Sequence, residues 1–309
     1  MQRPRRLSRW SAETRYASAQ DFISVRPQRG LHSVPVGESV VDLLIEDRGA
    51  PVTLIVFNAS LSSRVRLLPA FQGNGLAEDC GVNLIAVSDP ATARGDLDLG
   101  WYLGDDLTGP LPEQLGPVLH HAARCLGGVR TVLFGSSGGG YSAIRYAPHL
   151  PDALVLAVNP RLDMQASPAA GLDRYLDVAH PSAQTEAQRT AVIERFVRRR
   201  PVEPGTGAFT NDVLIYQNRA DQRFFNHQFT PFLQLARGER RLYVRTDDNG
   251  PGHVAIPSDT VREILSALAD LSLRPARAIA AAGFARPEPV TVADRIASVV
   301  GGVRARRRR

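Results

Sequence analysis

Seven short apolar runs recur along the chain, and they constrain its fold more than any other feature of the sequence. The runs are VVDLLIE (40–46), VTLIVF (52–57), VNLIAV (82–87), TVLF (131–134), ALVLAV (153–158), DVLIYQ (212–217) and RLYVRT (241–246). They are nearly continuous rather than alternating, which is typical of parallel strands that are covered on both faces. The pattern therefore predicts a sheet that is buried inside the molecule.

Segments with helical character lie between most of these runs. The clearest are 111–126, 141–147, 224–236 and 259–271. Strands that alternate with helices are typical of a doubly wound sheet. We therefore predict an α/β fold with a mostly parallel sheet and helices on both of its faces.

Charge divides the chain into three parts. Residues 1–30 contain seven arginines and two acidic residues, and residues 273–309 contain nine arginines and two acidic residues. The body, 31–272, contains 21 arginines and 27 acidic residues. We expect a basic, flexible leader, an α/β body and an Arg-rich tail. Because the basic residues are concentrated at the two ends, we expect no nucleic-acid partner.

The segment 159–211 interrupts the alternation of strands and helices, and we expect a small helical lid at about 160–211. One helix is predicted at about 185–200, where Thr185 and Gln188 have the spacing of a capping box. The segment could equally be a structural excursion that has no role in substrate access. The sequence leaves both interpretations open.

The tail carries a second ambiguous pattern. Four apolar residues share one helical face ahead of the final arginine run: Ile296, Val299, Val300 and Val303. This pattern suits weak contact with an anionic membrane surface. The alternative is a solvated, disordered basic end, which is the more common structure of such a charge run.

Composition excludes several mechanisms. All 37 residues counted as Lys+Arg are arginine, so the chain cannot form a Walker A loop, a protein-kinase site, a Schiff base or a Ser-Lys dyad. The two cysteines, Cys80 and Cys125, match neither a metal-ligand spacing nor a redox pair, and we expect no disulfide, metal or cofactor. No apolar run approaches the roughly 18 residues of a membrane helix, and no signal-peptide pattern is present, so we expect a cytoplasmic protein.

The strongest chemical motif is G-x-S-x-G at Gly135–Gly139, in the stretch TVLFGSSGGGYSAIRYA. It follows a predicted buried strand and precedes a predicted helix. A nucleophilic serine in this setting needs a turn so tight that its neighbours two residues away lack side chains. Gly135 and Gly139 meet that need around Ser137. The alternatives are a glycine-rich strand-to-helix turn and a dinucleotide phosphate loop, although the glycine spacing does not match the latter.

Over roughly residues 35–272 the chain resembles the α/β-hydrolase superfamily. The resemblance implies an active site in the chain order nucleophile, acid, histidine, with a strand separating each from the last. The stretch GSSGGGYSAI followed by VNPRLD is also similar to hydrolase-like proteins associated with the assembly and modification of surface glycans.

A serine hydroxyl needs a histidine that accepts its proton and later delivers it to the leaving group. Of the seven histidines, His253 follows the last predicted strand in the loop DDNGPGHVAIP, and the order implied by the resemblance selects it. The resemblance also places the orienting carboxylate at Asp221, which follows DVLIYQ. Asp163 is the main rival, because it lies one strand earlier. In the alternative interpretation, Asp221 only caps a helix and does not orient the histidine.

An acyl-transfer site also needs donors for the oxyanion. The backbone N–H of Gly138 is the first candidate, and the loop 58–61 supplies the second, which we assign to Ala59. No HGGG-type motif is present, so this second donor departs from the lipase pattern. Trp101 and Tyr102 follow another strand and are candidates for lining a substrate pocket, with core packing as the alternative.

These residues favour an esterase-like serine hydrolase that cleaves a small-molecule or glycan-linked ester through an acyl-serine intermediate. An O-acyltransferase would use the same residues but would deliver the acyl group to a hydroxyl instead of water. A catalytically silent scaffold that binds a partner is the alternative from a different class. The sequence does not identify the substrate.

Overall fold

The computed structural model describes residues 3–8, 10, 13–167, 170–203, 209–236 and 238–287. Its strands are β1 Glu13–Arg15, β2 Gly30–Val36, β3 Ser39–Glu46, β4 Val52–Phe57, β5 Asn83–Ser88, β6 Gly104–Asp105, β7 Gly109–Pro110, β8 Arg130–Ser136, β9 Leu154–Val158, β10 Val213–Asn218 and β11 Leu242–Asp247. Its α-helices are α1 Ala19–Ser24, α2 Asn74–Asp79, α3 Leu111–Cys125, α4 Gly138–Tyr146, α5 Ala170–Ala179, α6 Glu186–Phe196, α7 Gln222–Phe224, α8 Thr230–Leu235, α9 Ser258–Ala269 and α10 Pro275–Ala281.

Nine of the strands form one sheet in the order β1-β2-β3-β5-β4-β8-β9-β10-β11. All seven predicted runs are strands of this sheet, and their bounds differ from the prediction by at most two residues. Only β3 runs antiparallel to its neighbours, β2 and β5. The predicted fold class is confirmed: a mostly parallel sheet with helices on both faces.

Two apolar layers sandwich the sheet. On one face α1, α3, α4 and α8 pack against residues such as Ile55, Leu133 and Val155. On the other face α2, α9 and α10 pack against the alternate residues of the same strands, including Leu54 and Leu156. Because strand side chains alternate between faces, each continuous apolar run supplies both layers. The parallel strands therefore bring their carboxyl ends to one edge, where loops from distant parts of the chain meet.

The leader differs from the expectation of a flexible segment. Phe22 in α1 is fully buried in the core, and β1 extends the sheet by pairing with β2. The Arg5 guanidinium makes a bidentate ion pair with Asp42, at 2.7 Å from Nε to Oδ2 and 2.6 Å from Nη2 to Oδ1. Arg3 likewise pairs with Asp98. The many arginines of the leader suggested a solvated segment. Carboxylates of the body bind two of these arginines, however, and hold the leader in place.

The predicted lid segment contains two helices, α5 and α6. Thr185 and Gln188 form the predicted capping box at the start of α6, but the helix ends at Phe196 rather than near residue 200. The helix α5 was not predicted. Apolar residues of both helices, including Tyr175 and Phe196, form a separate cluster with Trp101 and Tyr141. This segment therefore packs directly over the loop that follows β5.

The tail is only partly described. The helix α10 packs against α9, and Ala285 pairs with Val244 of β11, so the first part of the predicted tail belongs to the folded body. The apolar face at Ile296–Val303, for which membrane contact was considered, lies outside the described residues. Among the described residues no helix is both long and apolar enough to cross a membrane.

Candidate active site

The turn at Ser137 has the strained geometry that a nucleophilic serine requires. Ser137 joins β8 to α4 with φ 53° and ψ −115°, in the positive-φ region that L residues rarely adopt. A Cβ on Gly135 would lie 2.1 Å from the carbonyl oxygen of Gly139, and one on Gly139 would lie 2.3 Å from that of Phe57. Both contacts are with backbone atoms, which cannot rotate away. Sterics therefore explain why the motif has glycine at both positions.

The structure brings together Ser137, His253 and Asp221. The Ser137 Oγ lies 2.9 Å from His253 Nε2, and His253 Nδ1 lies 2.6 Å from Asp221 Oδ2. In this arrangement the hydroxyl donates to Nε2, while Nδ1–H donates to the carboxylate. The three residues span 116 positions of the sequence, so only the fold makes them neighbours.

Asp221 also caps a helix. Its second oxygen, Oδ1, accepts a hydrogen bond of 3.1 Å from the backbone N–H of Phe224 at the start of α7. The carboxylate is 1% exposed, and one oxygen serves the helix while the other faces His253. The capping role and the orienting role are therefore compatible. The Phe224 ring stacks on the imidazole, with 3.9 Å between ring centroids, and restricts its rotation.

The other aspartates that could have oriented His253 bind different partners. Asp163 pairs with Arg199 and Arg200, at 2.9 Å and 3.6 Å, and it also accepts the N–H of Gln165. Asp247 pairs with Arg245, and Asp248 accepts a backbone N–H within its own turn. None of these carboxylates bonds to His253 in the described part of the chain. The geometry thus distinguishes Asp221 from Asp163, the rival that the sequence analysis left open, and from the two aspartates that precede His253 in the sequence.

Two asparagines that sequence reasoning missed hold the histidine loop. Asn218 Nδ2 donates to the carbonyls of Gly250 and Gly252, and its Oδ1 accepts the N–H of Asn249. Asn159 Nδ2 donates to the carbonyl of Val254. A signal was present in the sequence, because the runs 153–158 and 212–217 are each followed directly by asparagine. The exposed loop that carries His253 is therefore tied to the ends of β9 and β10.

The two predicted oxyanion donors lie close to the turn at Ser137. Gly138 is the first residue of α4, where backbone N–H groups have no partner within the helix. The loop after β4 touches the same turn, since a Cβ on Gly139 would lie 2.8 Å from the carbonyl oxygen of Asn58. The Ala59 N–H, however, donates to Gln72 Oε1 at 3.1 Å. The Gln72 side chain thus accepts the hydrogen bond that the predicted second donor would otherwise give to the oxyanion.

The structure places Tyr102 in the core rather than in a pocket. Its side chain is fully buried, and its hydroxyl accepts the N–H of Asn58 and donates to the carbonyl of Val87. The prediction that Tyr102 binds substrate does not fit this position, because the ring and the hydroxyl both serve packing. Trp101 is 3% exposed and lies against the turn, with Nε1 2.9 Å from where a Gly138 Cβ would be.

Asp89, which sequence reasoning did not single out, shapes this loop. The carboxylate follows β5 and accepts the backbone N–H groups of Ala91, Gly100 and Tyr102. Complete burial raises its pKa to about 6, against the lowering effect of the three N–H donors. These bonds hold Trp101 and Tyr102 at φ values of 51° and 53°, which places the Trp101 ring beside Gly138. Asp89 is therefore a structural anchor of the site.

A cavity of about 450 Å³ lies beside the turn at Ser137. Gln72, Ser136 and Ala255 line it near the site, and Leu76, Phe134 and Ile256 supply apolar walls between α2 and α9. Within the described ranges no group of three His, Cys, Asp or Glu residues is arranged to hold a metal ion. The candidate site thus places a hydroxyl, an imidazole and a carboxylate in one hydrogen-bonded chain, next to a partly apolar cavity.

Comparison with solved structures identifies the class of fold. A capsule O-acetyltransferase of Neisseria meningitidis serogroup A matches with a TM-score of 0.56 and 14% identity, covering 79% of this chain and 96% of that one. A mutant of that protein in which one histidine is replaced by alanine, in complex with CoA, matches with a TM-score of 0.56 and 12% identity over 78% of this chain and 95% of that one. Carboxyl esterase 2 of Tuber melanosporum matches with a TM-score of 0.49 and 14% identity over 85% and 91% of the two chains.

With its mostly parallel nine-stranded sheet and helices on both faces, the chain has an α/β-hydrolase-like fold. Its sequence matches no protein-family model and has no significant match among curated proteins. At identities this low the likeness extends to the fold alone.

Proposed function

We propose that the protein is a serine-dependent, esterase-like hydrolase that cleaves a small-molecule or glycan-linked ester through an acyl-serine intermediate. The observation that carries this proposal is the continuous hydrogen-bonded path from Asp221 through His253 to Ser137, with distances of 2.6 Å and 2.9 Å. Structural histidines and serines seldom share such a path at the tip of a strained turn in this fold.

In the first step Ser137 Oγ attacks the ester carbonyl while His253 Nε2 takes the hydroxyl proton. The tetrahedral intermediate carries its negative charge on the former carbonyl oxygen, which the Gly138 N–H stabilises. When the carbon–oxygen bond of the ester breaks, His253 returns the proton to the leaving alcohol. Water then attacks the acyl-serine by the same sequence, and the acid product and free Ser137 are released.

The Ala59 N–H can serve as the second oxyanion donor only if it exchanges its present hydrogen-bond acceptor for the substrate oxygen. The Ala59 N–H becomes available when the substrate oxygen replaces Gln72 Oε1, which now accepts that hydrogen bond. Gln72 lies on the surface and also lines the 450 Å³ cavity, so its side chain has room to turn. In this proposal the Gln72 amide oxygen is a stand-in for the carbonyl oxygen of the substrate.

An O-acyltransferase is the second candidate. The likeness to a capsule O-acetyltransferase, with a TM-score of 0.56, favours it, as does the exposure of His253 at the mouth of the site. The two activities differ only in whether water or a hydroxyl attacks the acyl-serine. Incubation with acetyl-CoA and a series of glycan acceptors would distinguish them, because a transferase forms acetylated product faster than free acetate.

The direct test is labelling with a fluorophosphonate probe, which reacts with activated serines. We expect a single adduct on Ser137 by peptide mass spectrometry, and no adduct in the Ser137→Ala variant. The Ser136→Ala variant is the matched control, and it should still be labelled. An adduct on Ser136 would contradict the assignment of Ser137 as the nucleophile. No adduct in a folded protein with probes of several sizes would instead favour the catalytically silent scaffold.

A further inference from the structure

The cavity of about 450 Å³ interrupts the apolar layer between the sheet and the helices α2 and α9. Its walls include five apolar residues of that layer: Leu76, Phe134, Val158, Ile256 and Val261. Protein interiors are packed about as densely as organic crystals, so a gap of this size in an apolar layer is unusual. Its volume lies within the range of roughly 300–1,000 Å³ that is typical of small-molecule sites.

Three of the lining residues lie next to the atoms that would carry out the reaction. The carbonyl of Val158 accepts the backbone N–H of Ser137 at 2.8 Å. Gln72 Oε1 accepts the N–H of Ala59, the second oxyanion donor, at 3.1 Å. Ala255 belongs to the loop that carries the histidine. The cavity therefore adjoins the position of the ester carbonyl in the proposed reaction.

The charged residues of the lining already have partners. Among the described residues that line the cavity two are charged, Asp79 in α2 and Arg262 in α9. The Arg262 Nε and Nη2 both donate to Asp79 Oδ2, at 3.1 Å and 2.8 Å. Burying a further charge against these apolar walls would cost free energy that no partner offsets. The cavity therefore suits an uncharged, apolar part of a ligand.

The direction of proton transfer indicates which part of an ester this is. His253 Nε2 must deliver a proton to the alcohol oxygen, and His253 is exposed, so the alcohol can leave toward solvent. The carbonyl oxygen replaces Gln72 Oε1 on the Ala59 N–H, at the wall of the cavity. The acyl chain is then the part of the ester that has the cavity beside it.

We propose that this cavity binds the acyl chain of the substrate, and that the enzyme prefers esters of medium-length apolar acids to acetate esters. The inference rests on the proposed function of Ser137. None of the described residues that line the cavity belongs to the predicted lid at 160–211. The chain therefore enters between α2 and α9 and not beneath the lid.

The test measures kcat/KM for the 4-nitrophenyl esters of acetate, butanoate, hexanoate and octanoate, each below its solubility limit. We expect kcat/KM to rise by about two- to fourfold for each added methylene until the cavity is full. Leu76→Phe in α2 and Val261→Phe in α9 narrow the cavity, and each should lower the octanoate-to-acetate ratio of kcat/KM by about tenfold. Glu78→Phe, at an exposed position of α2 outside the cavity, is the matched control and should keep the wild-type ratio.

Two outcomes of this series would overturn the proposal. The first is a wild-type kcat/KM that is highest for acetate. The second is a wild-type ratio in both Leu76→Phe and Val261→Phe, with circular dichroism showing that the variants are folded. A parallel series of acetate esters with longer alcohols tests the direction of binding. Chain-length dependence confined to that series would place the alcohol in the cavity and would contradict the assignment of the acyl chain.

Labelling with a short, uncharged fluorophosphonate separates this proposal from the one on which it rests. A wild-type protein that is neither labelled nor active on any of the esters contradicts the proposed function, and the acyl-chain cavity with it. Labelling of Ser137 without a preference for longer acyl chains contradicts the acyl-chain cavity alone.

Discussion

The two halves of the candidate site are held in position by different forces. On the nucleophile side, the turn at Ser137 is fixed by sterics, because the backbones at Gly135 and Gly139 approach other backbone atoms too closely for any side chain. On the histidine side, the loop at His253 is exposed, and the Phe224 ring stacks on the imidazole. Hydrogen bonds from Asn159 and Asn218 hold it instead.

This difference explains why one half was visible in the sequence as a motif and the other was not. Steric demands restrict the residue type at defined spacings, which leaves G-x-S-x-G in the sequence. A loop held by side-chain amides imposes no comparable spacing, since its partners come from other strands. The contrast predicts that the nucleophile side responds to added volume, whereas the histidine side responds to lost hydrogen bonds.

The largest effect is expected on the histidine side, at its buried carboxylate. Asp221→Asn removes the charge that orients His253 and stabilises the imidazolium, so kcat should fall by up to ~10⁴-fold while KM changes little. Asp163→Asn is the matched control, since Asp163 binds Arg199 and Arg200 rather than His253. It should lower kcat by less than about tenfold.

Steady-state kinetics of both variants measure this, with circular dichroism and thermal melting as controls for folding. A large loss in Asp163→Asn together with a small loss in Asp221→Asn would move the orienting acid one strand earlier. The assignments of Ser137 and His253 would be unaffected by that result.

On the nucleophile side, Gly139→Ala should be the most damaging small substitution. The new Cβ would lie 2.3 Å from the carbonyl oxygen of Phe57, so the turn must shift. We expect a loss of about 1–3 kcal/mol in the free energy of unfolding and a more than about 100-fold slower labelling of Ser137. Gly75→Ala, where a Cβ meets no atom within 4 Å, is the control. Equal effects in the two variants would argue against steric control of the turn.

The hydrogen bonds of the histidine loop are tested by Asn218→Ala. The change leaves the carbonyls of Gly250 and Gly252 without this donor, so His253 should lose its fixed position. We expect kcat to fall by about 10- to 100-fold and stability by about 1–3 kcal/mol. Asn226→Ala, which loses only a 3.4 Å contact with Gln222, is the control. Unchanged kcat in a folded Asn218→Ala protein would show that the loop is held by other contacts.

The smallest effect is expected at Gln72. Gln72→Ala removes the side chain that accepts the Ala59 N–H, so substrate need not displace an intramolecular hydrogen bond. We expect kcat/KM to rise by about two- to tenfold, measured with a small neutral ester. A fall in kcat would indicate the opposite role, in which the Gln72 side chain turns and donates its own Nε2 to the oxyanion.

The sequence by itself determined the strands and the glycine-flanked turn at Ser137. All seven strand runs could be located because burial on both faces requires continuous apolar residues, and this requirement is local. The spacing of Gly135, Ser137 and Gly139 is likewise local. His253 and Asp221 were chosen through a resemblance, and the geometry brings them together with Ser137.

Only the tertiary structure decided which residues surround that site. It placed Tyr102 in the core, packed the basic leader onto the body, and paired the Ala59 N–H with the Gln72 side chain. These outcomes depend on contacts between residues that are far apart in sequence, and no local pattern encodes such contacts. An asparagine at a strand end, such as Asn218, looks the same in the sequence whether it is solvated or holds a loop of the site, because its partner lies in another loop.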